Sequence, residues 1–463
     1  MNMMPNILVI MVDQLRMDCL GASGRYPVLT PNLDRLAEEG VWFDNAFTPI
    51  PLCCPARQAF LNGRRPESFG GLWNFEIGLP VAALEPEQYA WPREMKDAGY
   101  RTAYVGKWHV HPNCDPTHYG YDAYCAEEDY HRFAKEHYPE VCYTHGFFGE
   151  PDPIPLEHSR THWLAGQAQA FMREMDGSGQ PWHLRFDLSE PHLPCRPAGR
   201  FAEMYKPEDM QPWDGFAETF VNKPYIQRQQ LLNWRVEDYT WEDWAPIVAR
   251  YFGVISQMDE AIGLLLQELD RLDAAGNTLV VFTSDHGDLC GSHRMMDKHY
   301  VLYDDIVRVP LILRWPERLR PGTRIAEFVY NHLDVPPTIL EAIHKDIPEF
   351  FHGRSLWPLL RGEPVRDWRS EVIATYNGQQ FGLYTQRMIR GDRWKLVWNT
   401  TDIDELYDLH EDPGELNNLI NDSTWQPLVR QYREKLYYQL KQSGDRLVGN
   451  IWVKDQLLLN LKI

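Results

Sequence analysis

The residues best suited to chemistry are Cys53, Pro55 and Arg57, in the run Pro51-Leu52-Cys53-Cys54-Pro55-Ala56-Arg57-Gln58-Ala59-Phe60-Leu61-Asn62-Gly63. Pro55 suits the first turn of a short helix and Gly63 its end, which puts Cys53 at a helix N-terminus. Unpaired N–H groups and the helix field favour an anion there, so the place fits a nucleophile that must meet a sulfate or phosphate. Two dipeptides add polar groups at strand ends, Asp13-Gln14 after Ile7 to Val12 and Asp285-His286 near the end of Thr278 to Thr283. Adjacent side chains on a strand point apart, so both members of a pair reach one site only where the strand has ended. Two carboxylates with an amide oxygen suit a hard cation of the calcium type, and His286 adds a nitrogen that borderline metals accept. Singly, each feature reads more readily as a helix cap or a free thiol; together they form a constellation.

The elements that must hold these residues follow an α/β pattern. Ile7 to Val12 and Thr278 to Thr283 read as strands buried on both faces of a largely parallel sheet, whose C-terminal edge is where such sheets place chemistry. Thr30 caps a helix that begins at Pro31 and stops at Gly40. Further strands are expected at Val41 to Phe43, Thr102 to Val105 and Val309 to Arg314, with helices near Trp91 to Ala98, Ile247 to Leu272 and Pro336 to Ile343. From about Asn113 to Ala245 the pattern loosens into long loops with short helices, apart from a strand at His183 to Leu188. Such insertions beside a catalytic sheet commonly shape substrate pockets. After Pro364 short alternating runs at Glu371 to Thr375, Phe381 to Arg390 and Trp394 to Asn399 suggest an antiparallel sheet, closed by a helix over Thr424 to Ser443. The expected fold is thus a large, mostly parallel sheet sandwiched by helices in residues 1–364, plus a smaller α+β C-terminal domain in 365–463.

A formal charge of -20 argues against nucleic acid or an anionic membrane as the main partner. It leaves room for a small anionic substrate in a local basic pocket. Seventeen Trp and 23 Tyr offer faces for sugar rings or aryl groups, although most serve the core. Eight cysteines without paired spacing argue against a disulfide framework or structural zinc. The N-terminus, Met1 to Pro5, has no basic leader-like segment and no run approaches a membrane span, so the expectation is a cytoplasmic protein. The apolar tail Asn450 to Ile463 suits docking on its own domain or on a neighbouring subunit.

The segment Cys53-x-Pro55-x-Arg57, with Leu61 and Gly63, resembles the signature of the type I sulfatases of the alkaline-phosphatase superfamily. Asp13, Gly106-Lys107-Trp108-His109, Pro191-His192, Ser284-Asp285-His286-Gly287-Asp288, Asp297-Lys298 and Leu406-Tyr407-Asp408-Leu409 match in order. The resemblance implies that a maturation enzyme oxidises Cys53 to formylglycine, whose hydrated aldehyde attacks sulfur and then expels sulfate through its second hydroxyl. It implies a divalent metal, Ca2+ foremost with Mn2+, Mg2+ and Zn2+ as further candidates, held by Asp13, Gln14, Cys53, Asp285 and His286. Arg57 would then steady the diol oxygen, Lys107 the sulfate charge, and His109 act as the base that collapses the sulfated intermediate. His192 and Lys298 would bind sulfate and protonate the leaving oxygen. His111 and His293 lie near these motifs as candidates for pocket lining. Gln14 with His286, where a second Asp and an Asn are common, resembles the subset that includes phosphonate monoester and phosphodiester hydrolases. The leading expectation is a sulfatase, carbohydrate sulfate ahead of aryl or alkyl sulfate, with a phosphonate or phosphodiester hydrolase as the alternative. A non-catalytic binder of sulfated ligands, with Cys53 unconverted, comes last.

Overall fold

The structure, a computed structural model, describes residues 4–75, 84–380 and 382–462. Its large sheet holds eight strands in the order β4-β3-β5-β1-β6-β7-β2-β8. These are β1 (Asn6–Asp13), β2 (Val41–Phe47), β3 (Arg101–Gly106), β4 (Ala123–Ala126), β5 (Trp182–Pro191), β6 (Thr278–Ser284), β7 (Leu311–Arg314) and β8 (Thr323–Tyr330). Only β7 runs against its neighbours β6 and β2. The mostly parallel sheet expected from the buried runs is therefore present.

Alternation along β1 explains the layers. Leu8, Ile10 and Val12 join one apolar cluster, with Leu164, Ala168, Phe252 and Ile255 from the helices Arg160–Asp176 and Trp241–Arg271. Ile7, Val9 and Met11 join another on the opposite face, with Val335 and Ile339 from the helix Asn331–Ala342. Each such fully buried aliphatic side chain contributes about 1.5–3 kcal/mol. The C-terminal part forms a four-stranded antiparallel sheet from β9 (Val372–Gln379), β10 (Gly382–Arg390), β11 (Trp394–Asn399) and β12 (Glu405–Asp408). Alternation works here too: Ala374, Tyr376 and Met388 face the catalytic core, while Ile373, Ile389 and Trp398 pack under the helix Gln426–Gln442. Phe381, where the sequence starts the second of these strands, lies outside the described residues, as does Ile463 at the end of the tail. The rest of the tail docks on its own domain through buried Leu457, whose carbonyl accepts from Arg433 Nη1 at 2.8 Å.

The reading of residues 113–245 as loops with short helices is corrected. This stretch contains β4, the helix Glu127–His137 and a 17-residue helix Arg160–Asp176, and the expected strand at His183 to Leu188 is present as β5, ten residues long and buried throughout. His183, Arg185 and Asp187 break the apolar signal of β5, yet each finds a partner inside. His183 bonds Tyr121 and the Ile7 carbonyl, and Arg185 pairs with Asp187 at 2.9 Å. Among the described residues no helix is long and apolar enough to cross a membrane.

Candidate active site

The C-terminal ends of β1, β3, β5 and β6 and the start of the helix Cys53–Asn62 converge on one buried point. Asp13 ends β1, and the chain turns at Gln14 with φ 69. That turn lets Gln14 N donate to Asp285 Oδ1 at 3.1 Å, while Asp285 N donates to Val12 O at 3.1 Å. The two strand ends are thus laced together. His109 (φ 44) and Asp297 (φ 69) also occupy the left-handed region that non-glycine residues avoid. Strain of this kind persists where surrounding structure over-determines it, as at functional sites.

Asp13, Cys53, Asp285 and His286 each place one ligand atom within 4.8 Å of the others, all buried. Cys53 Sγ lies 3.2 Å from His286 Nε2 and 3.7 Å from Asp13 Oδ1. Burial raises the Asp285 carboxyl and the neighbouring Asp13 adds to it, to about 6. Burial opposes charge on His286, yet Asp285 holds the imidazole up to about 9. Burial and Asp13 oppose ionisation of the Cys53 thiol, but Lys298, Lys107 and His286 together hold it well below the ordinary range. Two carboxylates this close in a dry site call for a compensating cation, and a divalent ion on these atoms would supply the charge that a proton on His286 now supplies. The donor set fits such an ion.

Arg57 sits behind the carboxylates with no exposure: Nη1 meets Asp187 Oδ2 at 2.6 Å, and Nη2 meets Asp13 Oδ2 at 3.0 Å and Asp285 Oδ2 at 3.1 Å. Lys107 Nζ reaches the same Asp13 oxygen at 2.7 Å. Gln14 belongs to a second group on the rim: its Oε1 accepts from Lys298 Nζ at 2.9 Å and its Nε2 donates to Asp297 Oδ1 at 3.1 Å. Lys298 Nζ also donates to His192 Nε2 at 2.8 Å, so the His192 proton sits on Nδ1 and is given to Leu193 O at 2.6 Å. Burial and then Lys298 lower the His192 pKa, keeping the ring neutral. His109 packs edge-on against Phe75 at 4.9 Å in the turn that follows Lys107.

Two histidines near the motifs are elsewhere. His111 Nδ1 accepts from the backbone of Asn113 and Cys114, ordering its own loop. His293 stacks on Tyr303 at 3.7 Å and donates from Nδ1 to Glu218 Oε2 at 3.0 Å. Burial opposes charge on Glu218, but the His293 hydrogen bond and Lys223 hold its carboxyl down to about 2, from 4.5. A folded pKa below the unfolded one means this stabilisation is complete above about pH 4.5 and is lost as pH falls toward 2. Glu218→Gln is expected to lower stability at pH 7 by roughly 2–3 kcal/mol and to flatten that acid limb, read from melts across pH.

Three contributors escaped the sequence reading. Asp187 receives Arg57, Arg185 and Tyr104 Oη (2.7 Å), and its backbone oxygen accepts Lys107 N at 2.9 Å. Its signal was an Arg-x-Asp pair inside a strand. Asn74 Oδ1 accepts from Cys54 N at 3.0 Å at the start of the Cys53 helix, with no signal in the sequence. Gln380, in the turn between β9 and β10, donates to Asp297 Oδ2 at 3.1 Å. Gly106 shows why the Lys107 turn needs glycine: at φ +102, an added Cβ would lie 1.9 Å from Asp187 O. Gly106→Ala is therefore expected to destabilise the fold by about 2 kcal/mol or more and to cut activity, by moving Lys107 off Asp13. Melting and turnover measured on the same preparation check this.

Residues 5–345 match the family described as Sulfatase, and residues 291–442 match the family described as N-sulphoglucosamine sulphohydrolase, C-terminal. The chain belongs to the sulfatase family. This sulfatase is a sulfuric ester hydrolase. It is 29% identical to an arylsulfatase of Clostridium perfringens over 95% of each chain. It is 25% identical to an N-acetylglucosamine-6-O-sulfatase of Bacteroides thetaiotaomicron, over 95% of this chain and 87% of that one. Among solved structures it superposes on a phosphonate monoester hydrolase of Agrobacterium radiobacter with a TM-score of 0.82 and 26% identity, covering 95% and 96% of the two chains.

Proposed function

We propose that this sulfatase hydrolyses organic sulfate monoesters, sugar sulfates ahead of aryl or alkyl sulfates, using formylglycine made from Cys53. The observation that carries the reading is the buried group of Asp13, Cys53, Asp285 and His286 with three basic side chains, Lys107, Lys298 and His192, around it. Asp13, Asp285 and His286, with the converted Cys53, would hold a divalent cation, Ca2+ first among Mn2+, Mg2+ and Zn2+, and Gln14 stands beside them on the rim. When bound, the cation supplies Lewis-acid polarisation of the ester oxygens.

The protein's own groups do the rest. Lys107 and Lys298 present ammonium groups to the non-bridging oxygens, and the dry surroundings strengthen that attraction. The Lys298–His192 pair holds a proton between Nζ and Nε2 and delivers it to the leaving oxygen. Arg57 fixes the carboxylates so that they do not reorganise as charge moves. Conversion of Cys53 requires a formylglycine-generating enzyme as partner. The sugar preference draws support from the named activity of the Bacteroides relative.

The likeness to a phosphonate monoester hydrolase favours a second reading, phosphonate ester hydrolysis at the same atoms, since both esters are tetrahedral anions. Parallel turnover of an aryl sulfate and an aryl phosphonate, on protein with conversion at Cys53 verified by peptide mass, separates them. Faster sulfate cleavage is expected; much faster phosphonate cleavage would overturn the choice.

A further inference from the structure

Asp297 precedes Lys298 and spends both of its carboxylate oxygens. Oδ1 accepts from Gln14 Nε2 at 3.1 Å, and Oδ2 lies 3.1 Å from His299 Nε2 and 3.1 Å from Gln380 Nε2. Asp297, Lys298 and His299 are buried, whereas Gln380 is exposed in the turn between β9 and β10. His299 is anchored by the C-terminal sheet, because its Nδ1 bonds Tyr376 Oη on β9 at 2.9 Å. Hydrogen bonds thus run without a gap from β9 through His299, Asp297 and Gln14 to Lys298, and from there to His192.

The donor and acceptor chemistry of this chain fixes its direction. A carboxylate only accepts and an ammonium only donates, so Gln14 must turn its amide NH2 to Asp297 and its Oε1 to Lys298. Lys298 Nζ is then held between two acceptors, Gln14 Oε1 at 2.9 Å and His192 Nε2 at 2.8 Å. Were Asp297 free to swing, the Gln14 amide would lose the partner that orients it, and Lys298 one of the two that place it. The left-handed backbone of Asp297, φ 69, persists only where surrounding bonds hold it, and His299 and Gln380 supply two of them.

We propose that His299 and Gln380 are positioning residues for departure of the leaving group, acting through Asp297 and Gln14 on the Lys298–His192 pair, and that they set how poor a leaving group this sulfatase can expel. The inference rests on the reading of that pair as the acid. As the nucleophile's oxygen bonds to sulfur, the S–O bond to the leaving group breaks and its electron pair stays on the leaving oxygen. A nitrophenolate carries that charge unaided, whereas a phenolate or the alkoxide of a sugar needs the proton, so misplacing the acid harms only the second kind.

Turnover of 4-nitrophenyl sulfate and of phenyl sulfate, on protein with conversion at Cys53 verified by peptide mass, reads this out as a ratio of kcat/KM values. His299→Asn, whose amide falls near Nδ1 and does not reach Asp297, is expected to lower kcat/KM for phenyl sulfate ~10-fold or more and for 4-nitrophenyl sulfate less than ~3-fold. His299→Gln places its amide near Nε2 and is expected to restore most of the ratio. Gln380→Ala, a change at an exposed turn that leaves the core intact, is expected to shift the ratio the same way by ~3-fold. Equal losses on the two esters would mark a structural role and overturn the inference, as would parent-like ratios in both His299→Asn and Gln380→Ala. His192→Ala tests the acid itself: if it too lowers both esters equally, the acid reading falls and takes this role with it, whereas a ratio changed in His192→Ala alone overturns only the part given to His299 and Gln380.

Discussion

Cys53→Ala is expected to lower hydrolysis of any sulfate ester at least ~10^4-fold while leaving the protein folded. The side chain is 1% exposed, but it is small and sits at the first residue of its helix, so its loss leaves a cavity of only one sulfur. Its neighbours are chemical and not apolar: His286 at 3.2 Å and Asp13 at 3.7 Å, with burial and Asp13 opposing its ionisation and Lys298, Lys107 and His286 together outweighing them. Removing a nucleophile deletes the covalent route entirely, whereas removing one electrostatic partner weakens it by about 10^2–10^3. Steady-state turnover of an aryl sulfate, with circular dichroism on the same sample, checks the result. Residual activity within ~10-fold of the parent would mean that Cys53 is not the nucleophile's source.

Arg57→Met carries the second largest effect, and here it falls on stability as well as rate. Three carboxylates, Asp13, Asp187 and Asp285, share this one guanidinium at 2.6–3.1 Å in a site with no exposure. Met fills much of the volume, so the loss is electrostatic. Leaving buried charge uncompensated costs about 3–5 kcal/mol when one partner of such a group is removed. Asp187 retains Arg185 at 2.9 Å and Asp13 retains Lys107 at 2.7 Å, whereas among the described residues Asp285 keeps only His286, at 3.6 Å, as a cationic partner, which makes it the group most affected by the change. A divalent cation would restore the balance at Asp285 and Asp13, so excess Ca2+ is expected to recover a large part of the deficit in denaturant melts. A variant as stable as the parent without added cation would contradict this account.

Much of the site was legible because its parts fall where strands end. Asp13-Gln14 and Asp285-His286 are polar pairs closing apolar runs, and Cys53-x-Pro55-x-Arg57 marks a helix start; the structure brings all of these to one place. What the residues could not convey was their mutual bonding. Gln14 reads as a ligand from its position, yet its amide is engaged by Lys298 and Asp297, a long-range pairing with no local signal. Arg57 reads as a group facing the substrate and lies beneath the carboxylates, because Asp187 on a different strand draws it down. The fold failed to show itself where charge interrupts periodicity. β5 reads only as the shorter strand His183 to Leu188, its buried ends at Trp182 and Pro191 staying hidden, and β8 with its partly exposed face gives no apolar run.

The burial of Cys53 has a consequence for the order of events during synthesis. Its cover comes from three distant parts of the chain, the turns at His192, His286 and Lys298, and Gln380 adds to the rim through Asp297. Chain emerging from the ribosome presents the Cys53 segment long before the last of these exists. On the proposed conversion, a second enzyme would reach that thiol only in this interval, since a side chain 1% exposed offers nothing to another active site afterwards. Folding and the proposed maturation would then be in competition, and a variant that folds faster would lower the fraction of molecules that ever become active.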